Sequence, residues 1–423
     1  MPLNILQLLN LQLNNGIYLN KKKNILVLTF WSFNDPLIQS YTLPYVKIMH
    51  SKLREGSKVY VQTLEQSYYK GDAEETRKVI ESLKNDGIEI VLRPYYPLGL
   101  KAIISNFFTL LILSKIILIH RINFIHGWCT TAGLLAWFLS KMWRRPLILD
   151  SYEPHAEAMV ENGSWKEDSI PFKFLFWLEG LETKRAKHII GTTQGMLKYA
   201  EDKYKVAIDS FLVKPACVNV SQFDYSKRKD QNLLESLDLE GKITLLYAGK
   251  FGGIYFDKEV FDFIKVASDY FGEGHFRVLI LSNLPENQLL KYCEEANVNS
   301  SIIRLRFVQH SVIQDYMNLA DFAICPVKPV PSKKYCTPVK NGEYWSMGLP
   351  VVIPKDISDD SEIIEKHNIG YVWKEMNHSE YLRSCEYIAE LLKDDQINKR
   401  VREVAMTYRD FSIAEKVYEE IYG

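Results

Sequence analysis

No two of the six cysteines form a CxxC pair, and none stands at a metal-ligand spacing from a histidine; Cys129, Cys217, Cys293, Cys325, Cys336 and Cys385 are scattered through 423 residues. That pattern argues against a disulfide frame or a zinc ribbon and reads as the reduced thiols of a cytoplasmic protein. Charge of one sign is also lacking, since 52 Lys and Arg offset 52 Asp and Glu. Without a global positive field nothing argues for a nucleic-acid partner, and any charged ligand must be met by a local site. The opening MPLNILQLLNLQLNNGIYLN has no basic start and no small-residue cleavage site. It reads as an extension over residues 1–22 rather than a signal peptide. No short-period repeat or low-complexity tract interrupts the chain.

Long apolar runs are scarce too. The most apolar stretch, Ile103 to Ile119, is interrupted by Asn106 and Lys115 and is short for a membrane span. It reads first as a core helix. The second reading is a peripheral membrane contact, with Phe107, Phe108 and Leu111 at the lipid and Lys101, Lys115, Arg121, Arg144 and Arg145 at anionic head groups.

What is present is an alternation of short apolar runs with helix-period segments, the pattern of βαβ units and parallel sheets. One set of expected strands runs through Asn24 to Phe30, Lys58 to Gln62, Ile88 to Leu92, Phe124 to Ile125, Leu147 to Leu149, His188 to Gly191 and Ser210 to Lys214. A second set runs through Thr244 to Ala248, Arg277 to Leu281, Ile303 to Phe307, Phe322 to Cys325, Val351 to Ile353 and Gly370 to Trp373. The chain is long enough for two cores, and the polar segment from Lys214 places the junction near Lys214 to Ser226. The expectation is α/β: two doubly wound, Rossmann-like domains facing across a cleft, over residues 23–213 and 214–407, the first completed by a C-terminal helix at about 408–423.

The sharpest local signal is Tyr335 to Pro354, which reads as loop, helix, turn and buried strand. Thr337 is expected as the N-cap and Pro338 as the first helical residue, so that helix amides face an anion. Glu343 sits further along the helix, where a carboxylate can accept from sugar hydroxyls. Gly348 ends the helix and Pro350 leads into the strand.

The run PVKNGEYWSMGLPVV resembles the donor-site signature P-x-K-x-x-E-Y-x-x-x-G-x-P-V-V of the family-4 retaining glycosyltransferases. RLRFVQHSVIQDYMNLADFAICP, LYAGKFGG and KPACVNVSQF are similar to the family's segments in family order, with Asn219 where Asp is usual. The resemblance implies a GT-B architecture with a nucleotide-sugar donor on the C-terminal domain and a saccharide or lipid-linked acceptor on the N-terminal one. By position it implies that Glu343 binds the ribose, Lys250 faces the diphosphate, and Thr337, with the amides beside Pro338, touches phosphate or donor sugar. Gly249, Gly252 and Gly253 would let backbone approach the diphosphate. Lys340 has two readings, diphosphate contact or solvated helix face. Two positions depart from the family: Tyr335 replaces a frequent glutamate, and the next lysine after Lys250 is Lys258.

In the N-terminal half, Trp31 to Pro44 reads as a polar and aromatic loop in which Asn34 and Asp35 either cap a helix or touch a ligand. The strand ends near Phe124 to Ala132 and Asp150 to Glu157 resemble the region where the family presents a His or carboxylate to the reacting sugar, which makes His126, Asp150, Glu153 and His155 the catalytic candidates. Glycosyl transfer builds negative charge on the departing diphosphate. No DxD motif stands beside the signature, since Asp359 and Asp360 lie in a later loop, so no metal and no cofactor is expected. Lys250 and the helix beginning at Pro338 would absorb that charge. The rival readings are a sugar-nucleotide 2-epimerase of the same architecture and an inactive nucleotide- or partner-binding chain. Synthesis of cell-surface polysaccharide or glycoconjugate, at the inner face of the membrane, is the setting the resemblance implies.

Overall fold

A computed structural model describes residues 22–68, 71–97, 99–225 and 229–423. The expected extension, apart from Lys22, and the junction residue Ser226 lie outside the described residues. Among the described residues, thirteen strands form two sheets whose neighbouring strands are all parallel.

The first sheet comprises β1 (Asn24–Leu28), β2 (Val59–Glu65), β3 (Ile88–Pro94), β4 (Ile122–Trp128), β5 (Leu147–Tyr152), β6 (His188–Gly191) and β7 (Phe211–Val213), in the order β3-β2-β1-β4-β5-β6-β7. The second comprises β8 (Ile243–Ala248), β9 (Phe276–Leu281), β10 (Ile303–Arg306), β11 (Phe322–Ile324), β12 (Val351–Pro354) and β13 (Gly370–Trp373), in the order β10-β9-β8-β11-β12-β13. In each sheet the order reverses beside the first strand, and in doubly wound sheets a ligand crevice opens at that point, beyond the strands' carboxyl ends. Central strands are buried on both faces, as in Ile25 to Leu28 and Leu245 to Tyr247, which accounts for their unbroken apolar sequence.

The chain passes between the domains twice, and the two passages pair. The amide of Val218 donates to Arg409 carbonyl at 2.7 Å, and that of Phe411 to Val218 carbonyl at 3.2 Å. Gly342 is packed so closely there that a Cβ would lie 3.2 Å from Val218. After the return, helix Phe411–Tyr422 buries Ala414, Val417, Tyr418 and Tyr422 in one cluster with Ile25, Val27 and Val59 of the first sheet.

Two local expectations are corrected. Trp31 to Pro44 is not loop throughout: a π-helical turn at Ile38–Thr42 runs into helix Leu43–Ser51. Asp35 starts it, accepting from Leu37 amide at 2.8 Å, while Asn34 bonds Thr76 at 3.1 Å. The apolar stretch is a continuous 20-residue helix, Leu100–Ile119. It is not a fully buried core helix, because Phe107 and Phe108 are more than half exposed.

Candidate functional site

The C-terminal wall of the cleft is organised by helix Val339–Ser346 and the turn after β8. Gly249, Gly252 and Gly253 all have positive φ, at 151°, 78° and 62°. At Gly249 the requirement is also one of space: a Cβ would lie 2.0 Å from the Lys340 amine. That amine is buried over Tyr255, 3.8 Å from its ring centroid, with Tyr247 at 5.0 Å. It meets no hydrogen-bond acceptor among the described residues. Burial pushes its pKa down to about 8. Lys340 is therefore not on a solvated face; it points into the glycine turn.

Glu343 follows on the same side of the helix, 8% exposed, and its Oε1 accepts from His310 Nε2 at 2.8 Å. That bond raises the His310 pKa above the ordinary histidine value. The next residue fixes the helix in place: Tyr344 hydroxyl accepts from Ala248 amide at 2.8 Å, at the last residue of β8. One short helix thus ties a carboxylate and a buried cation to the glycine turn. Glu343 and His310 line a cavity of about 760 Å³ whose opposite side is the Pro36 to Lys47 segment and whose floor includes Val218 and Asn219.

Two other expected donor residues, Thr337 and Pro338, are placed differently. Thr337 does not cap the helix; its hydroxyl donates to Thr192 carbonyl at 3.0 Å, on the other domain, and lies 3.2 Å from Ser358 Oγ. The helix accordingly starts one residue later, with Pro338 as an extended N-cap that offers no side-chain bond. Lys250 is exposed, and its carbonyl accepts from Tyr247 hydroxyl. Tyr335 packs across the cleft on Tyr199, ring centroids 4.7 Å apart, so it serves as an interdomain contact.

The N-terminal wall corrects two catalytic expectations. His126 and Asp150 have no exposed surface. They belong to a sealed network: His126 Nε2 lies 3.2 Å from Asp150 Oδ2 and Nδ1 2.6 Å from Tyr422 hydroxyl, Tyr418 hydroxyl donates to Asp150 at 2.7 Å, and the Lys214 amine lies 3.0 Å from its other oxygen. Burial alone would raise the Asp150 carboxyl, but Lys214, His126 and Tyr418 hold it well below the usual carboxylate range. With Lys214 from the first passage and the tyrosines from the C-terminal helix, the network locks that helix to β4 and β5.

Glu153 and His155 fare differently, because the backbone turns sharply just before them. Ser151 at the end of β5 has φ 51°, and Cys129 after β4 has φ 60°. Such left-handed positions for residues other than glycine cost free energy and concentrate at functional edges. Beyond the bend both side chains are partly exposed. His155 Nδ1 lies 3.0 Å from Glu153 carbonyl and 3.3 Å from Thr130 hydroxyl. The Glu153 carboxylate reaches Cys336, whose thiol is pushed well up by burial and then by that negative charge. Cys336 stands three residues before helix Val339–Ser346, so Glu153 is an N-terminal carboxylate brought against the C-terminal wall. His310, Tyr247 and Tyr344 were missed by sequence reasoning; only Tyr344 had a signal, as the residue after the glutamate in the signature.

No known protein family's description matches the sequence, and no curated protein matches it. Solved structures do match by shape. Sucrose-phosphate synthase from Thermosynechococcus elongatus aligns at TM-score 0.69 with 12% identity, over 95% of this chain and 98% of that one. HepE from Anabaena, in complex with UDP-glucose, aligns at 0.67 with 14% identity, over 94% and 98%. WaaG, a glycosyltransferase involved in lipopolysaccharide biosynthesis, aligns at 0.66 with 14% identity, over 95% and 100%. The likeness spans both domains in each case and shows the GT-B fold for this chain.

Proposed function

We propose that the chain is a glycosyltransferase that takes a sugar from a nucleoside-diphosphate sugar and passes it to a hydroxyl of a saccharide or lipid-linked acceptor. The observation that carries this reading is the pair Glu343 and Lys340: a carboxylate facing the cleft, less than a turn of helix from a buried cation aimed at a positive-φ glycine turn. A ribose offers hydroxyls to the first, and a diphosphate offers charge to the second. The neighbours' UDP and UDP-glucose complexes support this choice of donor.

In this reading Lys340, Lys250 and the first amides of helix Val339–Ser346 stabilise the departing diphosphate without metal. Glu153 and His155, on the opposite wall, orient the acceptor. Retention follows the resemblance of the signature, with the leaving phosphate taking the acceptor proton on the same face. The setting is the cytoplasmic side of the cell membrane, in the building of a surface polysaccharide or glycolipid.

The test is an assay with UDP-, GDP-, ADP- and CMP-sugars in EDTA, with and without a saccharide and lipid extract as acceptor. Nucleoside diphosphate released only with acceptor is the expected result. Conversion of donor alone to an epimer would contradict it, as would activity abolished by EDTA for the metal-free step.

A further inference from the structure

The helix Leu100–Ile119 lacks the largely polar outer face of a helix on a water-soluble domain. Its buried side carries hydroxyls: Ser105 donates to Pro94 carbonyl at 3.3 Å, Thr109 accepts from Arg93 at 3.1 Å and Ser114 from Trp143 at 3.0 Å. Its outer side carries Ile103, Ile104, Phe107, Phe108 and Leu111, all more than 45% exposed. Helices Cys129–Met142 and Ile170–Arg185 extend this surface on the same side of the first sheet. Across the three helices, fourteen large apolar side chains are more than 40% exposed, among them Phe138, Phe174 and Trp177. An apolar surface of this extent marks an interaction site.

Charge says what covers it. In a chain with 52 acidic residues, none lies between residues 90 and 149, where seven Lys and Arg stand. The third helix has two acids, but Glu179 and Glu182 are turned inward and fully buried. Glu182 carboxyl fits against Gly133 and meets no hydrogen-bond donor among the described residues. Burial raises its pKa well above the usual range and lifts that of Glu179 to about 8, so the charge-free form is favoured at neutral pH. Lys101, Lys115, Lys141, Lys173 and Lys184 are exposed on these helices with no exposed acid among them. A second copy docked on the same face would bring like charges together, which argues against a symmetric dimer.

We propose that the face formed by these three helices lies on an anionic lipid surface, with the aromatic and aliphatic side chains among the acyl chains and the lysines at the head groups. The 20-residue helix is long enough to cross a bilayer. In this fold it lies along the surface instead, because Leu113 and Ile117 are built into the core of the sheet. The helix follows closely on the Pro94 to Pro97 rim of a groove of about 1340 Å³ in the N-terminal domain, so an acceptor held in the membrane would meet the protein at that rim.

The test uses the full chain with vesicles of phosphatidylcholine alone and of phosphatidylcholine mixed with phosphatidylglycerol. Wild type is expected to sediment with the mixed vesicles, more weakly as salt is raised. Phe107→Ser with Phe108→Ser should weaken binding about tenfold or more, and Lys101→Glu with Lys115→Glu by a similar factor that salt erases. Circular dichroism and nucleotide binding show that each variant is folded, and vesicle binding needs no donor, so it stands or falls apart from the transfer reaction. The proposal is overturned if wild type ignores anionic vesicles or if both pairs of variants bind as wild type does. A lipid-free dimer dissociated by the phenylalanine substitutions would assign the face to a second copy and overturn it too.

Discussion

The C-terminal wall of the cleft takes Lys340 and Glu343 from one short helix packed against one glycine turn, whereas the N-terminal wall is assembled from segments far apart in the chain. On the first, Lys340 and Glu343 are three residues apart and are aligned by Tyr344 against Ala248. On the second, Asp150 meets a tyrosine 268 residues away. A local site announces itself as a motif. A dispersed one shows only isolated polar residues at strand ends, and those look alike whether they face solvent or the core.

If that contrast is right, removing a member of the N-terminal network damages folding, while removing a member of the C-terminal pair damages binding. Lys214→Met leaves Asp150 buried without its cation and should cost roughly 3–5 kcal/mol in stability, read by urea unfolding. An unchanged midpoint would show that the network is not what holds helix Phe411–Tyr422 in place.

Lys340→Met should have the opposite profile. It removes a buried amine that has no acceptor among the described residues, so stability is kept, while nucleoside-diphosphate affinity drops by about 1.5–3 kcal/mol, roughly tenfold or more. The same residue gives affinity a pH dependence. Its pKa in the free protein is about 8 and rises when an anion arrives, so binding takes up a proton above that pH and weakens as pH climbs through it. Calorimetry in buffers of different ionisation enthalpy reads that proton directly.

The smallest expected effect is at His310, whose side chain is 62% exposed. Its folded pKa lies above 6.5 because it donates to Glu343, so the charged pair persists below that value and is lost as pH rises through the shifted one. Glu343→Gln should return the His310 resonance in an NMR titration toward the ordinary value. No change would mean that the two side chains are not bonded in solution.

The fold was largely legible. All thirteen strands were expected, because β-branched and aliphatic runs between helix-period segments leave few alternatives. The edges were not: β4 was read as Phe124 to Ile125 but runs from Ile122 to Trp128. His126 and Gly127 resemble the start of a loop, but pairing with Val27 and Leu28 on one side and Ile148 and Leu149 on the other makes them strand. The same ambiguity misplaced His126 and Asp150 as cleft residues, since their burying partners Tyr418 and Tyr422 carry no marker in sequence. Thr337 was misread for a related reason, as its hydroxyl is claimed by Thr192 of the other domain. Glu343 was legible as a cleft residue because its neighbours in sequence are also its neighbours in space.

The most direct measurement is calorimetric titration of wild type and Glu343→Ala with the nucleoside-diphosphate sugar that gives the largest thermal shift. Loss of measurable binding in the variant, with its melting temperature without ligand kept near that of wild type, is the result the account predicts. Equal affinity in the two proteins would contradict a donor site centred on Glu343.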